Sequence, residues 1–410
     1  MCPAYPFPHR PETDGAGSTP DPNTFSLGAK HNRRPTRKEM DGMLETIRTV
    51  PTRPDMHDAG AKLTPVGIDL GYGYVKAVGP GGEVVFPALT TRLMRSSGLA
   101  SILTGDGETP NGRLRDGFRV TMAGPSARGR YAVGSLARLE GGGGTGVPLD
   151  QDRWRHEGAR VLLAVAAALA SGGTSASLAV ATGDPPGHFN QKSRAAAEEL
   201  LRGFQADVEF EDGPFPGVVS VRIAAARVFP QAAGGIFHAL SIPGNVLGEG
   251  ATEAGVVDIG YGTTDYMILD LRTRNIAEGM SGSLEVGTHR IAALVAEAYH
   301  AATGGELPLE LAEGVVASGN TQAWWRGRSV DLSKALAEAC QEVATTVYEG
   351  LRTKWRDRLD ILQPILVMGG GGTLLGNLLT ERLGRPVTVL PMSQMANAKG
   401  FAVVAAQLAR

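Results

Sequence analysis

Cysteine is almost missing from this chain: Cys2 and Cys340 are the only two in 410 residues. So few thiols exclude a disulfide framework and a cysteine-built zinc cluster, and make a reducing interior the default compartment. Long apolar runs are missing too. The longest, Ala159 to Ala170 (ARVLLAVAAALA), is too short and too alanine-rich to cross a bilayer and suits a buried helix better. The N-terminal stretch has no apolar core of signal-peptide type. The expectation is therefore a cytoplasmic protein with no membrane partner. There is no excess charge of either sign: at a formal net −2, the molecule is no electrostatic nucleic-acid binder, and direct sequence-specific DNA binding is not expected. The chain also lacks a G-x-x-x-x-G-K-[ST] segment, so the P-loop NTPases have no support.

What is present is a repeated turn. Residues 256–270 read VVDIGYGTTDYMILD: an apolar strand, Asp258 at its exit, a tip at Gly260-Tyr261-Gly262-Thr263-Thr264, and a return strand. Glycines at such a tip bring backbone N–H groups close to an anion, and an aspartate beside it can hold a hydrated Mg2+. Taken singly, a tip rich in Gly and Thr is commonly only a turn. Pro65 to Val78 (PVGIDLGYGYVKAV) repeats it, with Asp69, the tip Gly71-Tyr72-Gly73-Tyr74, and Lys76 on the return strand. Aligned on their aspartates, DLGYGYVK and DIGYGTTD share four of eight letters. Two such hairpins imply two similar halves whose tips and carboxylates face one metal-bound nucleotide.

Length fits two domains plus a tail. Residues 1–63 read as a disordered, solvated leader, with a basic run at Lys30 to Lys38 that could instead touch DNA or a partner. Met40, Met43 and Met56 offer internal starts. Residues 83–135 form short strand-like pieces with Arg113, Arg115, Arg119, Arg128 and Arg130, read mainly as loop-solvating arginines. Gly141 to Gly144 reads as a link, and Asp150 as the cap of a helix from about Gln151 to Ala170 that ends at Gly172-Gly173. Ser177–Thr182, Val218–Ile223, Pro364–Met368 and Val387–Leu390 read as strands. Phe189–Phe204, Ala232–Leu240, Leu284–His300, Leu332–Leu359 and Met395–Leu408 read as helices. Cys340 falls on the apolar stripe of the long helix, as a buried small hydrophobe. The alternation gives an α/β class with a mixed sheet in each half.

Five elements stand in order: DLGYGYVK, ATGDPP, DIGYGTTDY, MGGGGTLL and ANAKGF. That order resembles the actin, Hsp70 and sugar-kinase superfamily. YAVGSLA (131–137), RVFPQ (227–231) and SGSLEVGTHRIA (281–292) look most like its plasmid-segregation ATPases of the ParM/StbA kind, including those of PRTRC clusters. The resemblance covers about residues 64–410. It implies an actin-like (ribonuclease H-like) pair of domains: domain I at 64–245 with an insert at about 83–135, domain II at 246–392, and a helix at 393–410 returning to domain I. The nucleotide cleft would lie between the two domains. By the same resemblance, Asp69 and Asp258 flank hydrated Mg2+, and amides at Gly71, Tyr72, Gly73, Tyr74 and at Gly260, Tyr261, Gly262, Thr263 cradle phosphates. Lys76 would neutralise charge, and Thr263 or Thr264 would add a hydroxyl. Gly369, Gly370, Gly371, Gly372 and Thr373 would pass against adenine and ribose. Gln231 would orient the attacking water; read on its own, it is a helix-start residue in solvent. The tyrosines at positions 72, 74 and 261 depart from the small residues usual at these tips.

The implied function is ATP (or GTP) hydrolysis coupled to self-association into filaments, with a DNA-binding adaptor as partner. Two rivals stay open. A small-molecule kinase would need a general base, for which Asp184 is the candidate, and a nucleotide-dependent regulator would not polymerise.

Overall fold

The computed structural model describes residues 62–93, 116–141, 145–146, 152–211, 213–244, 246–248, 250–273 and 275–410. The leader up to residue 61, with Lys30–Lys38 and the three internal methionines, lies outside these residues. So do Arg113, Arg115, Asp150, Gln151 and most of the Gly141–Gly144 link.

Alternation builds the first sheet. In β1 (Thr64–Leu70), Val66, Ile68 and Leu70 are fully buried, and the chain turns at Gly71–Gly73 into β2 (Tyr74–Gly79) and then β3 (Gly82–Pro87). Seven more strands complete it: β4 (Leu89–Arg92), β5 (Gly117–Ala123), β6 (Gly129–Gly134), β7 (Thr145–Gly146), β8 (Ala176–Asp184), β9 (Gln205–Phe210) and β10 (Val218–Pro230). Their order is β3-β2-β1-β8-β10-β9-β5-β6-β4-β7. The second half supplies β11 (Glu253–Ile259), β12 (Thr264–Asp270) and β13 (Gly282–Leu284), a separate hairpin of β14 (Gln322–Trp325) and β15 (Arg328–Asp331), then β16 (Ile365–Met368) and β17 (Thr388–Val389). Its sheet runs β13-β12-β11-β16-β17. Position by position this repeats β3-β2-β1-β8-β10, antiparallel through the hairpin and parallel beyond it. The expected α/β class with two mixed sheets flanked by helices is what the chain adopts.

Opposite faces of β1 meet different helices, as a period of two requires. Val66, Ile68 and Leu70 share a core with the helix Glu157–Ala170, which is buried on almost every side. Gly67 faces the closing helix Ala396–Leu408 so closely that a methyl there would lie 2.1 Å from the Ala402 nitrogen. The closing helix also packs on the helix Ala233–Ser241. A methyl on Gly400 would sit 1.7 Å from the Gly234 carbonyl. Ala396, Ile236 and Ala239 join Val256, Met267, Leu366 and Met368 of the second sheet in one cluster, so this helix pair touches both halves. On the far face of that sheet, Val257 and Ile259 pack with the helices Thr288–Thr303 and Ser333–Trp355. Cys340 is buried there, and burial pushes its thiol up to about 11, which suits a packing role.

Several boundaries differ from expectation. The apolar helix begins at Glu157, because Arg153–Arg155 form a 3-10 turn ahead of it. The helix expected from Leu284 begins at Thr288: Ser283 and Leu284 pair with β12, and Gly287 is its N-cap. The strand expected at 218–223 runs on to Pro230. Arg119 and Arg130 lie in strands, as the strand-like pieces at 118–122 and 130–134 suggest, but they do not merely solvate: Arg119 is buried against Glu140, and Arg130 pairs with Glu211 at 2.5 Å. Among the described residues, no helix is long and apolar enough to cross a membrane.

The close approach of the two helices makes a direct test. Gly400→Ala should destabilise by at least about 1–3 kcal/mol, the range for an overpacked core. Gly314→Ala, at an exposed position of the helix Leu309–Ser318 with open space, should stabilise by about 0.5–1 kcal/mol. Urea unfolding midpoints of the two variants check both signs.

Candidate functional site

Each hairpin ends in the same turn. The Gly71 amide donates to the Tyr74 carbonyl at 3.1 Å, and the Gly260 amide to that of Thr263 at 2.9 Å. The Gly71 and Gly260 amides, expected in the phosphate cradle, are therefore engaged within their own turns. The second tip rests on a helix start: the Thr288 and His289 amides donate to the Gly260 and Tyr261 carbonyls at 3.0 and 2.8 Å. Gly287 permits this, since a methyl there would lie 2.4 Å from the Tyr261 oxygen.

The tips interleave. The Tyr261 ring covers Gly73, where a methyl would come within 2.5 Å of its Cγ, and Tyr72 lies 3.5 Å from the corresponding point on Gly262. Each tip's tyrosine thus faces the second glycine of the other tip. The Tyr261 hydroxyl donates to Glu313 and meets His289 Nδ1 at 2.8 Å, and Arg138 reaches Glu313 from the first half at 2.9 Å. Burial and the Glu313 bond both hold the Tyr261 phenol protonated.

Behind the tips lies a carboxylate cluster. Asp69 and Asp258 are 1 % and 5 % exposed, at matching places on β1 and β11. Lys76 donates to Asp69 Oδ2 at 2.9 Å, and Gln231 Nε2 to Asp69 Oδ1 at 2.9 Å. Asn397, at the start of the closing helix, donates to Asp258 Oδ2 at 2.7 Å and accepts the Gly235 amide at 3.0 Å. Burial and then Asp69 push Asp258 up to about 6. That is roughly 3 kcal/mol against its charged form. Asp265, opposite Asp258 in the hairpin, goes up to about 8 through burial and Asp258. Burial works against the Lys76 charge, but Asp69 and Asp258 outweigh it and raise its pKa. Crowded, buried carboxylates of this kind gain from a cation placed among them.

A cavity of about 630 Å³ opens beside this cluster, within the size range of ligand sites. Of the residues singled out in the sequence, Gly71 to Tyr74, Lys76, Gln231, Asp258, Gly260 to Thr263, Gly370 and Thr373 line it. Asp69 stands behind Lys76 and Gln231. The glycine loop and one threonine require correction. Gly369, at φ +86°, is tied to Ser393, and a methyl there would strike the Ile259 carbonyl and Asp258. The Gly371 amide donates to the Ile259 carbonyl, so Gly369 and Gly371 seat the loop on β11, while Gly372 begins a helix beside Ser393; none of the three lines the cavity. Thr264 is buried, with its hydroxyl on the Val286 carbonyl at 2.7 Å, so it supports the tip from behind. Asp184, the base required by a kinase, has its carboxylate on Trp154 Nε1 at 3.0 Å and Arg153 at 3.6 Å, and burial raises its pKa.

The sequence reading missed Asp265, Ser283, Glu285 and Glu313, all of which line the cavity. Strand alternation could have found Asp265, seven positions after Asp258 across a tight turn. Glu313 carries no local signal. Among the described residues, no group of three or more His, Cys, Asp or Glu side chains is placed to hold a metal ion.

Comparison with known proteins agrees in both halves. Residues 67–234 match a model described as the N-terminal domain of actin-like proteins, and residues 256–381 one described as the C-terminal part of archaeal MreB-like actin homologues. Archaeal actin homologues of Thermoplasma volcanium and Thermoplasma acidophilum are each 25 % identical over 346 residues, 82 % of this chain and 97 % of theirs. A solved archaeal actin homologue superposes with a TM-score of 0.68 at 21 % identity, covering 84 % of this chain and all of that one. The same protein has been solved in complex with ADP, with a TM-score of 0.67. A ParM filament from Clostridium botulinum, 15-stranded, matches with a TM-score of 0.67 at 23 % identity over 84 % of this chain and 99 % of that one. The chain has an actin-like fold, and each of its halves is similar to a domain of actin-like proteins.

The asymmetry of the tips yields a prediction. Gly73→Ala drives a methyl into the Tyr261 ring and should cost about 1–3 kcal/mol. Gly262→Ala meets Tyr72 only at ordinary contact distance and should cost clearly less. Thermal unfolding of the two variants reads the difference.

Proposed function

We propose that this actin-like chain binds a magnesium-bound nucleoside triphosphate, ATP first and GTP as the alternative, between its two hairpin tips and hydrolyses it. The observation that carries the reading is one cavity lined by both tips, with Lys76, Gln231 and Asp258 at its wall and Asp69 behind. A bound Mg2+ would supply charge neutralisation across the phosphates, held through water by Asp69 and Asp258. Lys76 balances phosphate charge, and the inner tip amides orient the terminal phosphate. Gln231 donates through its nitrogen to Asp69, which keeps its amide oxygen available as the acceptor that orients a water for attack. Phosphoryl transfer to water asks for little else beyond positioning and electrostatics. Gly370 and Thr373, opposite the tips, border the nucleoside.

Head-to-tail self-association is the second element of the proposal. The two bodies are domain I at 64–245 and domain II at 246–392, with residues 393–410 returning to domain I. Triphosphate closes the cleft between them and favours addition; hydrolysis relaxes it. A heterologous contact that does not close on itself gives a filament. Support comes from the ParM/StbA-like segments at 131–137, 227–231 and 281–292, and from the filament in which a ParM relative was solved. In that setting the filament serves plasmid segregation through a DNA-binding adaptor.

Phosphate release and light scattering, recorded together after ATP and Mg2+ are added, test this. Both should rise for the unmodified chain. Asp258→Ala should abolish release, and Gln231→Ala should slow it while nucleotide stays bound. Wild-type release from Asp258→Ala would remove the metal assignment. Flat scattering over a wide concentration range would leave a non-polymerising regulator, and release only with an added metabolite would point to a kinase.

A further inference from the structure

Arg153 is a buried cation that the nucleotide site does not itself use. It opens the 3-10 turn Arg153–Arg155, with its side chain 1 % exposed. Burying a guanidinium costs several kcal/mol unless its donors are matched, and its rigid fork suits it to holding separate groups in register. Nη2 donates to the Leu70 carbonyl at 2.7 Å. Nε lies 3.6 Å from Asp184 Oδ1, which also accepts Trp154 Nε1 at 3.0 Å, and the guanidinium stacks over the Trp154 ring at 4.6 Å.

Leu70 and Asp184 both lead into the site. Leu70 stands between Asp69 and the first tip. Asp184 ends β8, and its carbonyl accepts the Gln231 amide at 2.8 Å, continuing the β8–β10 ladder beyond Pro230. Gln231 then donates to Asp69. The contacts form a closed circuit: Asp69, Leu70, Arg153, Asp184, Gln231 and back to Asp69. Arg153 itself does not line the cavity.

We propose that Arg153, acting through Asp184, is a positioning residue that fixes Gln231 relative to the first phosphate tip, and so serves the hydrolytic step more than nucleotide binding. This rests on the hydrolase reading above. A group that orients water is sensitive to small displacement; misplacement by about 1 Å costs up to about a hundredfold in rate.

The experiment compares Arg153→Met, Arg153→Lys and Trp154→Phe, alone and with Gln231→Ala, by single-turnover phosphate release and by anisotropy with a fluorescent ADP. Arg153→Met should slow release by at least about tenfold while the Kd moves less than about threefold. Arg153→Lys should recover part of the rate. In the Gln231→Ala background, Arg153→Met should add almost nothing, because both changes remove the same placement. If Arg153→Met fails to fold, Trp154→Phe removes a single bond to Asp184 and should slow release about threefold with the same non-additivity. Wild-type release from these variants, a Kd that worsens in step with the rate, or full additivity with Gln231→Ala would overturn the proposal. Slow Gln231→Ala with normal Arg153→Met would sink this coupling alone, whereas wild-type release from Gln231→Ala would take down the role of Gln231 and this proposal with it.

Discussion

Two carboxylates that repel each other are held at the ends of two hairpins, and most of the structure is arranged around keeping them there. Asp69 and Asp258 are both buried, and Asp265 adds a third acid beside them. Left alone, such a cluster would be strongly disfavoured. Each acid instead has a neutral or cationic partner brought from elsewhere in the chain: Lys76 and Gln231 for Asp69, Asn397 for Asp258, Ser283 for Asp265. Those four partners come from four different places, β2, the residue after β10, the closing helix and β13, so the repulsion is tolerated only when the whole fold is assembled. Burial first, and a neighbouring acid after it, still raise the pKa values of Asp258 and Asp265.

The repeated sheet order explains how the two acids come to match. β1-β2 and β11-β12 hold the same place in their sheets, so a residue at the end of each first strand reaches an equivalent point. The closing helix Ala396–Leu408 supplies the register between the halves. It lies against β1 at Gly67 and against the helix Ala233–Ser241 at Gly400, and its Asn397 reaches Asp258. Small residues at those contacts bring the backbones close, and a side chain at either would shift the acids relative to each other. At the tips, the exchanged contacts of Tyr72 and Tyr261 add a second junction, and Arg138–Glu313 a third.

The α/β class and both hairpins were legible in the sequence because they rest on local signals, strand alternation and glycine tips; Gln231 was singled out by the family resemblance, since the strand leading to it runs past the expected end at Ile223 to Pro230. The four-glycine loop was legible as a loop but not in its detail. Nothing local tells which glycine faces a ligand and which faces Ile259 and Asp258 across the cleft wall. Thr264 and Thr263 are adjacent and of one type, yet pleating turns one toward Val286 and the other toward the cavity. Arg119 and Arg130 were read as loop-solvating because their partners are remote in sequence, Glu140 on the helix Ser135–Gly141 and Glu211 just past β9. Arg153 was hidden for a related reason. It was read as part of a helix, and only the 3-10 turn before Glu157 aims its guanidinium at Leu70 and Asp184.

Matching acids and tips in the two halves make sense only if one ligand touches both at once. Crystallography of the chain with magnesium and a non-hydrolysable ATP analogue addresses that directly. The structure predicts triphosphate between the Gly71–Tyr74 and Gly260–Thr263 tips, with a hydrated metal one water layer from both Asp69 and Asp258. Analogue bound to one half only, or metal ligated away from these two acids, would contradict it.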